Sequence, residues 1–350
     1  MKSLISETTV FAALKDACIS AVLILVSVAF GGLLIAMYGF DPLQAYGVML
    51  YGAFGNPLRV SETLVSMTIL LLTGLGTAVA YRCGIWNIGA EGQLYLGALG
   101  ATWAALAFSL PFILHLPLSL FFGFVFGGFW ALIPGVLKAK RGTNEILTTL
   151  MMNYIGIWLV HYAVHFTPLK DPNKVFPQSY DIPVSATLPK LMQGSRLHAG
   201  MIVAFLSVVA VYLILRRTTF GYSIKATGEN IIAARVGGIN VSRVIMLTML
   251  VSGGLSGLAG AGEVLGVHGW LQDGISPGYG YMGIAVALVA GLHPLTIVLV
   301  SVFFGALLAG SDYMQVMTGI PVALVFVIQG LAIVLIVCRR LLQSFLERRQ

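Results

Sequence analysis

Residues 83–100 read C-G-I-W-N-I-G-A-E-G-Q-L-Y-L-G-A-L-G, and this stretch decides the fold class because it places polar groups inside apolar sequence. A carboxylate such as Glu91 costs roughly 3 kcal/mol at the centre of a bilayer, so its position indicates function. Gly84, Gly89 and Gly92 interrupt a regular helix and allow backbone amides to point into a cavity. The stretch therefore predicts a broken helix around a functional carboxylate. The alternative is a helix end at the membrane surface, with Glu91 in water.

The composition of the whole chain indicates an integral membrane protein. Of its 350 residues, 58% are hydrophobic and 9% are charged, and the mean hydropathy is +0.93. Apolar runs of about 20 residues, the length that crosses a bilayer core, recur along the chain. They predict an all-α protein with one transmembrane domain over 1–350 and about ten spanning helices. The expected spans are 18–38, 62–81, 90–110, 117–137, 145–166, 199–215, 243–267, 281–293, 295–311 and 320–338. The run at 281–293 is too short to cross alone.

The distribution of basic residues predicts the orientation. When both termini are placed in the cytoplasm, five of the 20 lysine and arginine residues fall outside: Arg59, Lys170, Lys174, Lys190 and Arg196. The other fifteen fall inside, as the positive-inside rule requires. We therefore expect a multi-pass protein with both termini cytoplasmic. The net charge of +7 needs no nucleic-acid partner to explain it.

Two polar segments stand out in this topology. Residues 167–198 lie outside and carry prolines at 168, 172, 177, 183 and 189, which predicts an ordered, non-helical loop or a plain connector. Residues 216–242 lie inside, where Asn230 or Thr227 is expected to cap a short helix, Ile231 to Val236, that Gly237-Gly238 ends. A short helix on this surface suits the docking of a soluble partner. The alternative is an interfacial helix against anionic lipid.

A weak internal symmetry links the first stretch to a second one. Residues 62–166 and 243–338 each hold four expected spans, and the two sets begin on opposite sides of the membrane. The second span of each set is interrupted by glycines, as G-I-W-N-I-G-A-E-G-Q (84–93) and as G-I-S-P-G-Y-G-Y-M-G-I-A-V-A-L (274–288). Interrupted segments at matching positions of inverted halves indicate a transport site. Chance similarity is the alternative.

Other polar residues within spans leave alternatives open. Asn153 and Tyr154 either line a pathway or bond within the helix bundle, and Glu263 lines the pathway, pairs within the bundle or lies near the exterior surface. His161 and His165 are one helical turn apart, but no third ligand is spaced to help them, so we expect no metal site. The chain has no G-x-x-x-x-G-K-[ST] motif, the loop that holds nucleotide phosphates, which excludes ATP hydrolysis through such a loop. It has no H-E-x-x-H or G-x-S-x-G motif either, so nothing indicates an intramembrane enzyme.

Three stretches resemble the permease subunits of bacterial ABC importers, in the branch for simple sugars, nucleosides and branched-chain amino acids. They are N-I-G-A-E-G-Q-L-Y-L-G-A (87–98), G-T-N-E-I-L-T-T-L-M-M-N-Y-I (142–155) and G-Y-G-Y-M-G-I-A-V-A-L (278–288). The E-G-Q and M-M-N-Y forms are most similar to the nucleoside-type subgroup, whose binding proteins are lipoproteins. A fourth stretch, A-T-G-E-N-I-I-A-A-R-V-G-G-I-N (226–240), resembles the segment that docks into the ATPase.

This resemblance implies the fold, the partners and the location. The fold would be that of a type II importer, with about ten helices in two inverted halves. The chain itself would hold no cofactor, because ATP and Mg²⁺ belong to separate ATPase subunits. A second permease, related but different, would complete the path through the bacterial inner membrane and its lipid. An external lipoprotein would deliver a nucleoside or simple sugar.

The resemblance also assigns residues to roles. Trp86 is expected to stack on a base, and polar neighbours are expected to hydrogen-bond the solute. The expected substrate-pathway residues are Trp86, Asn87, Glu91, Gln93, Asn153, Tyr154 and Glu263. The expected ATPase-coupling residues are Gly228, Glu229, Asn230, Ala233, Ala234 and Gly237.

Three alternatives remain at this stage. The first is an importer that carries branched-chain amino acids instead of a nucleoside or sugar. A secondary transporter would use Glu91 and Glu263 as an ion relay, and its uptake would collapse with an uncoupler but survive without ATP. A structural membrane scaffold would give no substrate-dependent phenotype.

The orientation gives a labelling prediction. In a background without the native cysteines, a cysteine introduced within 170–195 should react with a membrane-impermeant thiol reagent added to intact cells. A cysteine within 217–240 should react only after the membrane is opened. The reverse pattern would contradict the topology.

Overall fold

The computed structural model describes residues 26–334, except for residues 27, 329, 332 and 333. The described residues are almost entirely helical, with no β-strand among them beyond three isolated bridges. The first helices are α1 (Val28–Met37), α2 (Pro42–Phe54), α3 (Pro57–Arg82), α4 (Ala90–Ala107), α5 (Phe112–Arg141) and α6 (Glu145–Phe166). After a long loop come α7 (Gly200–Arg217), α8 (Thr219–Glu229), α9 (Ile231–Val236), α10 (Val241–Gly262), α11 (Tyr279–Val289), α12 (Pro294–Thr318) and α13 (322–328).

Six of these helices are long and apolar enough to cross a membrane, namely α3, α5, α6, α7, α12 and α10 with its π-helical extension Glu263–His268. They match six of the expected spans and confirm an all-α integral membrane protein. Helices α1 and α2 meet at 119° and count as a seventh span if they form one broken unit. The sequence did not predict α2.

The expected count of about ten differs from this number for physical reasons. Helix α4 carries Glu91 and Gln93 in its first turn, and these polar side chains lower its hydropathy below that of a typical span. The helix is instead almost wholly buried against α5, α6 and α10. Helix α11 has 11 residues and is too short to cross a membrane alone, as its sequence predicted. The expected spans 18–38 and 320–338 lie partly outside the described residues, and both termini lie wholly outside them.

Glycine breaks precede both short helices, as the sequence predicted. The chain leaves α3, passes through residues 83–89 with Gly84 at φ +75°, and begins α4. The chain leaves the α10 extension, passes through residues 269–278 with Gly278 at φ +102°, and begins α11. A positive φ is open to glycine at little cost, so these residues permit the turns. The two breaks occupy the same place in the two sets of helices.

Small residues let α4, α5 and α10 approach closely. A methyl group on Gly257 would meet the backbone of Gly123 and Gly127, and one on Gly97 would meet the backbone of Gly257. The row of small residues at Gly253, Gly257 and Ala261 therefore serves helix packing.

The long loop, residues 167–199, lies against one set of helix ends, which we call the long-loop face. It contains one 3₁₀ turn, Val184–Ala186, and two isolated bridges within itself, so the expected ordered, non-helical conformation is confirmed. Arg196 Nε donates to Glu62 Oε2 at 2.9 Å, and this hydrogen bond raises the pKa of the Arg196 guanidinium. Burial lowers the pKa of His198 to about 4, so its neutral ring accepts from the Gly200 amide at 3.1 Å.

The opposite helix ends carry α8 and α9, and we call this the α8–α9 face. Asn230 caps α9 and accepts hydrogen bonds from the Ile232 and Ala233 amides, each at 2.9 Å. Gly237 and Gly238, the latter at φ +82°, end the helix. The predicted short helix, its asparagine cap and its glycine end are thus confirmed, whereas Thr227 is buried within α8 and is not the cap.

The chain divides into two compact units, and the single transmembrane domain expected over 1–350 stays a prediction. One unit is Val60–Ala306, and the other combines Met1–Arg59 with Leu307–Gln350. In the first unit lie both glycine breaks, α8, α9 and the long loop. Its internal geometry positions every side chain considered below.

Candidate functional site

Glu91 lies where the N-termini of two helices meet. It is the second residue of α4, it is 2% exposed, and its Oε2 accepts from the Gly280 amide of α11 at 2.7 Å. The Ser276 hydroxyl and the Gly278 amide also face this carboxylate. Helix N-termini carry partial positive charge and unpaired N–H groups, so a carboxylate is stabilised there. The sequence suggested the glycine amides of 84–92 or a substrate hydroxyl as donors to this carboxylate, whereas the donor observed is an amide in the first turn of α11.

Asn87 and Gln93 hold the first break against α10. Asn87 Nδ2 donates to Ser252 Oγ at 2.9 Å and to Gln93 Oε1 at 3.1 Å. Asn87 Oδ1 accepts from the Gly89 amide at 2.9 Å and from Gln93 Nε2 at 3.0 Å. The two amide side chains therefore satisfy each other and close the turn into α4.

Asn153 joins α6 to both breaks. Its Nδ2 donates to the Ile88 carbonyl at 2.8 Å and to the Tyr281 hydroxyl at 3.2 Å. Its Oδ1 accepts from the Gly92 amide at 2.8 Å. One side chain thus bonds to the loop before α4, to α4 itself and to α11.

These four residues, Asn87, Glu91, Gln93 and Asn153, form what we call the buried polar network. Each is at most 2% exposed, so none of them reaches a solute in this conformation. This differs from the expectation that they hydrogen-bond a solute directly. The physical reason is that a broken helix leaves N–H and C=O groups unpaired in an apolar interior, and these side chains pair them.

Three aromatic side chains beside the network are exposed. Trp86 is 50% exposed and packs against Tyr81, with ring centroids 4.8 Å apart and the ring planes tilted by 46°. Tyr154 is 54% exposed and Tyr281 is 38% exposed. Tyr281 was not among the residues picked from the sequence, although the G-Y-G-Y run at 278–281 was recognised as part of a break. These rings are the pathway candidates that a solute can touch here.

Glu263 belongs to a different cluster, at the long-loop face. It begins the π-helical extension of α10 and is 3% exposed. His268 Nδ1 lies 3.4 Å from its Oε2, and Arg196 of the long loop faces it as a second basic group. His268 is only five residues away in sequence, whereas the partner Arg196 is revealed only by the folded chain. This geometry matches the alternative in which Glu263 pairs within the bundle.

The coupling candidates touch the first break through the backbone. Gly228, near the end of α8, has no room for a methyl group because the Arg82 carbonyl and Cys83 lie against it. A methyl group on Gly84 would in turn meet the Gly228 Cα at 3.4 Å. A displacement of α8 therefore acts directly on the chain that leads to the buried polar network.

Helix α9 presents apolar side chains outward. Ile232 is 76% exposed and Val236 is 85% exposed, while Ala234 is buried and anchors the helix. Ala233, Glu229 and Gly237 are also exposed. Of the six coupling candidates, Ala234 is buried and the other five are exposed, although one side of Gly228 lies against the Arg82 carbonyl.

Comparison with known proteins identifies the family. Residues 59–337 match the family described as branched-chain amino acid transport system, permease component. The chain is 36% identical to the glucose ABC transporter permease of Haloferax volcanii, with 90% of this chain and 85% of that protein covered. It is 35% identical to the guanosine ABC transporter permease of Bacillus subtilis, covering 92% and 93% of the two chains. It is 34% identical to the nucleoside ABC transporter permease of Lactococcus lactis subsp. cremoris, covering 93% and 92%.

No solved structure matches the chain. The family match nevertheless extends over both glycine breaks, the α8–α9 segment and the buried polar network. With most of its length matched to that family and to three permeases above 30% identity, the chain belongs to the family of ABC transporter permease components.

Proposed function

We propose that this chain is the permease subunit of an ATP-driven importer for a nucleoside or a simple sugar. The observation that supports this most is similarity over nearly the full length to permeases named for guanosine, nucleosides and glucose. The family description mentions branched-chain amino acids, but those three relatives favour a nucleoside or sugar. As an ABC permease, the chain is not an enzyme and works with ATPase and substrate-binding partners on separate chains.

The finer details of the assembly are also proposals. The second permease is a related, different chain, and the substrate-binding partner is an external lipoprotein. ATP and Mg²⁺ are held by the ATPase subunits. The complex lies in a bacterial inner membrane, with both termini of this chain in the cytoplasm and the long-loop face outside. The excess of basic residues on the α8–α9 side supports this orientation.

A proton or sodium relay through Glu91 and Glu263 is disfavoured by the geometry. Glu91 is engaged by the Gly280 amide, and Glu263 faces His268 and Arg196. Each carboxylate therefore has a local structural role within its own cluster.

Uptake measurements test the proposed function. Proteoliposomes that contain the purified complex, the binding protein and internal ATP should accumulate a labelled nucleoside or glucose, and an uncoupler should not prevent it. Labelled leucine serves as the control substrate. Uptake that proceeds without ATP and collapses with the uncoupler would establish the secondary transporter instead.

We assign different roles to the two groups of pathway candidates. The buried polar network positions α4 and α11, and the exposed rings of Trp86, Tyr154 and Tyr281 contact the solute. An indole stacks on a nucleobase or on the apolar face of a sugar, and a phenol adds a hydrogen-bonding group. Asn153 connects the two groups, because it bonds to the Tyr281 hydroxyl at 3.2 Å.

Replacing Glu91 separates a positioning role from a purely structural one. Glu91→Gln keeps an oxygen acceptor for the Gly280 amide, whereas Glu91→Ala leaves that buried donor unpaired, at a cost of about 1–3 kcal/mol. We expect uptake per assembled complex to fall on the order of tenfold or more in the alanine variant and to an intermediate value in the glutamine variant. Asp181→Asn, which changes an exposed carboxylate on the long loop, is the control and should have no effect. An unchanged normalised rate in Glu91→Ala would remove Glu91 from the pathway.

Two substitutions in the α8–α9 segment separate the docking of the ATPase from the transmission of its movement to the buried polar network. Asn230→Ala removes the α9 cap, which is worth about 1 kcal/mol, and should weaken co-purification of the ATPase. Gly228→Ala forces α8 away from the Arg82 carbonyl and should preserve ATPase binding while uptake per hydrolysed ATP falls. Gly47→Ala is the matched control, because a methyl group there has nothing within 4 Å. Full ATP-driven uptake in both variants would exclude this segment as the coupling element.

A further inference from the structure

Three side chains with metal-binding atoms converge at the long-loop face. His161 and His165 stand one turn apart on α6, with ring centroids 4.0 Å apart. Asp273 comes from the second break, 112 residues further along the chain, and its Oδ2 lies 2.6 Å from His161 Nδ1. The same oxygen is 4.0 Å from His165 Nδ1. One candidate ligand atom from each residue lies within 4.8 Å of the other two.

This donor set has the chemistry of a transition-metal site. Imidazole nitrogen and carboxylate oxygen are ligands of Zn²⁺ and of its neighbours in the first transition row. With metal–ligand bonds near 2.0–2.1 Å, two ligands of a tetrahedral ion are about 3.3 Å apart. The 2.6 Å between His161 Nδ1 and Asp273 Oδ2 is shorter than that value, and one candidate atom from each of the three side chains lies within 4.8 Å of the other two, so side-chain rotations accommodate an ion.

The surroundings leave room for the rest of a coordination shell. The three side chains are 22–40% exposed, so water can fill a fourth position. His165 Nδ1 lies 2.8 Å from the His161 carbonyl oxygen, so this nitrogen fixes the orientation of the ring and Nε2 is the nitrogen left to bind an ion. Histidine ligands of metals are commonly held in this way, through a hydrogen bond from the second ring nitrogen.

We propose that His161, His165 and Asp273 form a binding site for a divalent transition-metal ion of the Zn²⁺ class. Sequence analysis expected no metal here because no third ligand is near the two histidines in sequence. The fold supplies that ligand by bringing the second break against α6. The site therefore joins an element of one set of helices to the break of the other set.

The position of Asp273 gives the site a mechanical consequence, which rests on the proposed transport function. Asp273 lies five residues before Gly278 and seven before Gly280, whose amides face Glu91. An ion that holds Asp273 against α6 restrains the segment that leads into α11. Metal binding should therefore slow any transport step in which α11 moves relative to α6.

Metal binding can be tested independently of transport. The complex is purified through a tag without histidines, stripped with chelator, dialysed against Zn²⁺ and analysed for bound metal by mass spectrometry. Co²⁺ replaces Zn²⁺ in a parallel sample, because its visible absorption reports tetrahedral coordination by nitrogen and oxygen. Asp273→Asn and His165→Gln are the test variants. His293→Gln, a partly buried histidine elsewhere, is the matched control.

We expect one ion per chain in the parent and in the control, and at least tenfold weaker binding in both test variants. Thermal melting of each variant without metal checks that it is folded, and added Zn²⁺ should raise the melting temperature only in the parent and in the control. Equal metal content in all four proteins, or none in the parent, would reduce the cluster to a His161–Asp273 hydrogen bond and overturn the proposal.

Uptake at increasing Zn²⁺ tests the mechanical consequence separately. The parent should slow, and Asp273→Asn should be less sensitive. If the parent binds the metal but its uptake does not slow, the proposed restraint on α11 is wrong, whereas the metal site remains supported. Absence of uptake from every sample without metal would count against the proposed function and leave the binding result intact.

Discussion

The hydrogen bond from the Gly280 amide to the Glu91 carboxylate is the contact on which both broken helices depend. Helices α4 and α11 begin at this point, and each brings the partial positive charge and the unpaired amides of an N-terminus. Two such ends repel each other unless negative charge lies between them. Glu91 supplies that charge from the first turn of α4, and it accepts from α11 at 2.7 Å. The buried amides of Asn87, Gln93 and Asn153 then pair the remaining polar groups of the first break.

This junction lies deep in the bundle. Ser252, which bonds Asn87, is eleven residues into α10, and at 1.5 Å per residue this is about 16 Å from the α8–α9 face. The path from that face to the junction is short and made largely of backbone. Gly228 lies against the Arg82 carbonyl, and Arg82 Nε donates to the Leu292 carbonyl at 2.8 Å. Residues 83–89 continue directly into the network. Backbone contacts cannot absorb a displacement by changing rotamers, so motion of α8 is transmitted to the start of α4.

Features set by local sequence were predictable, and features set by contacts between distant segments were not. The cap and end of α9 and the breaks at Gly84 and Gly278 each depend on residues within one or two turns. The donor to Glu91, by contrast, is 189 residues away, and the carboxylate beside His161 is 112 residues away. Sequence alone found the polar residues of the site but not their burial, because burial depends on which neighbours the fold brings. Helix α2 was missed because 13 residues are too few to resemble a membrane span.

The separation between the buried polar network and the exposed rings has a consequence for how such a protein evolves. Trp86 and Tyr154 can be exchanged for other side chains without depriving a buried group of its partner. Asn87, Glu91 and Asn153 cannot, because each loss leaves at least one unpaired donor or acceptor in an apolar interior. The layer that we propose contacts the solute is therefore free to vary, while the layer directly beneath it is held nearly fixed by selection for folding. Such a protein can acquire a new substrate through a few substitutions at exposed positions, while the buried polar network stays unchanged.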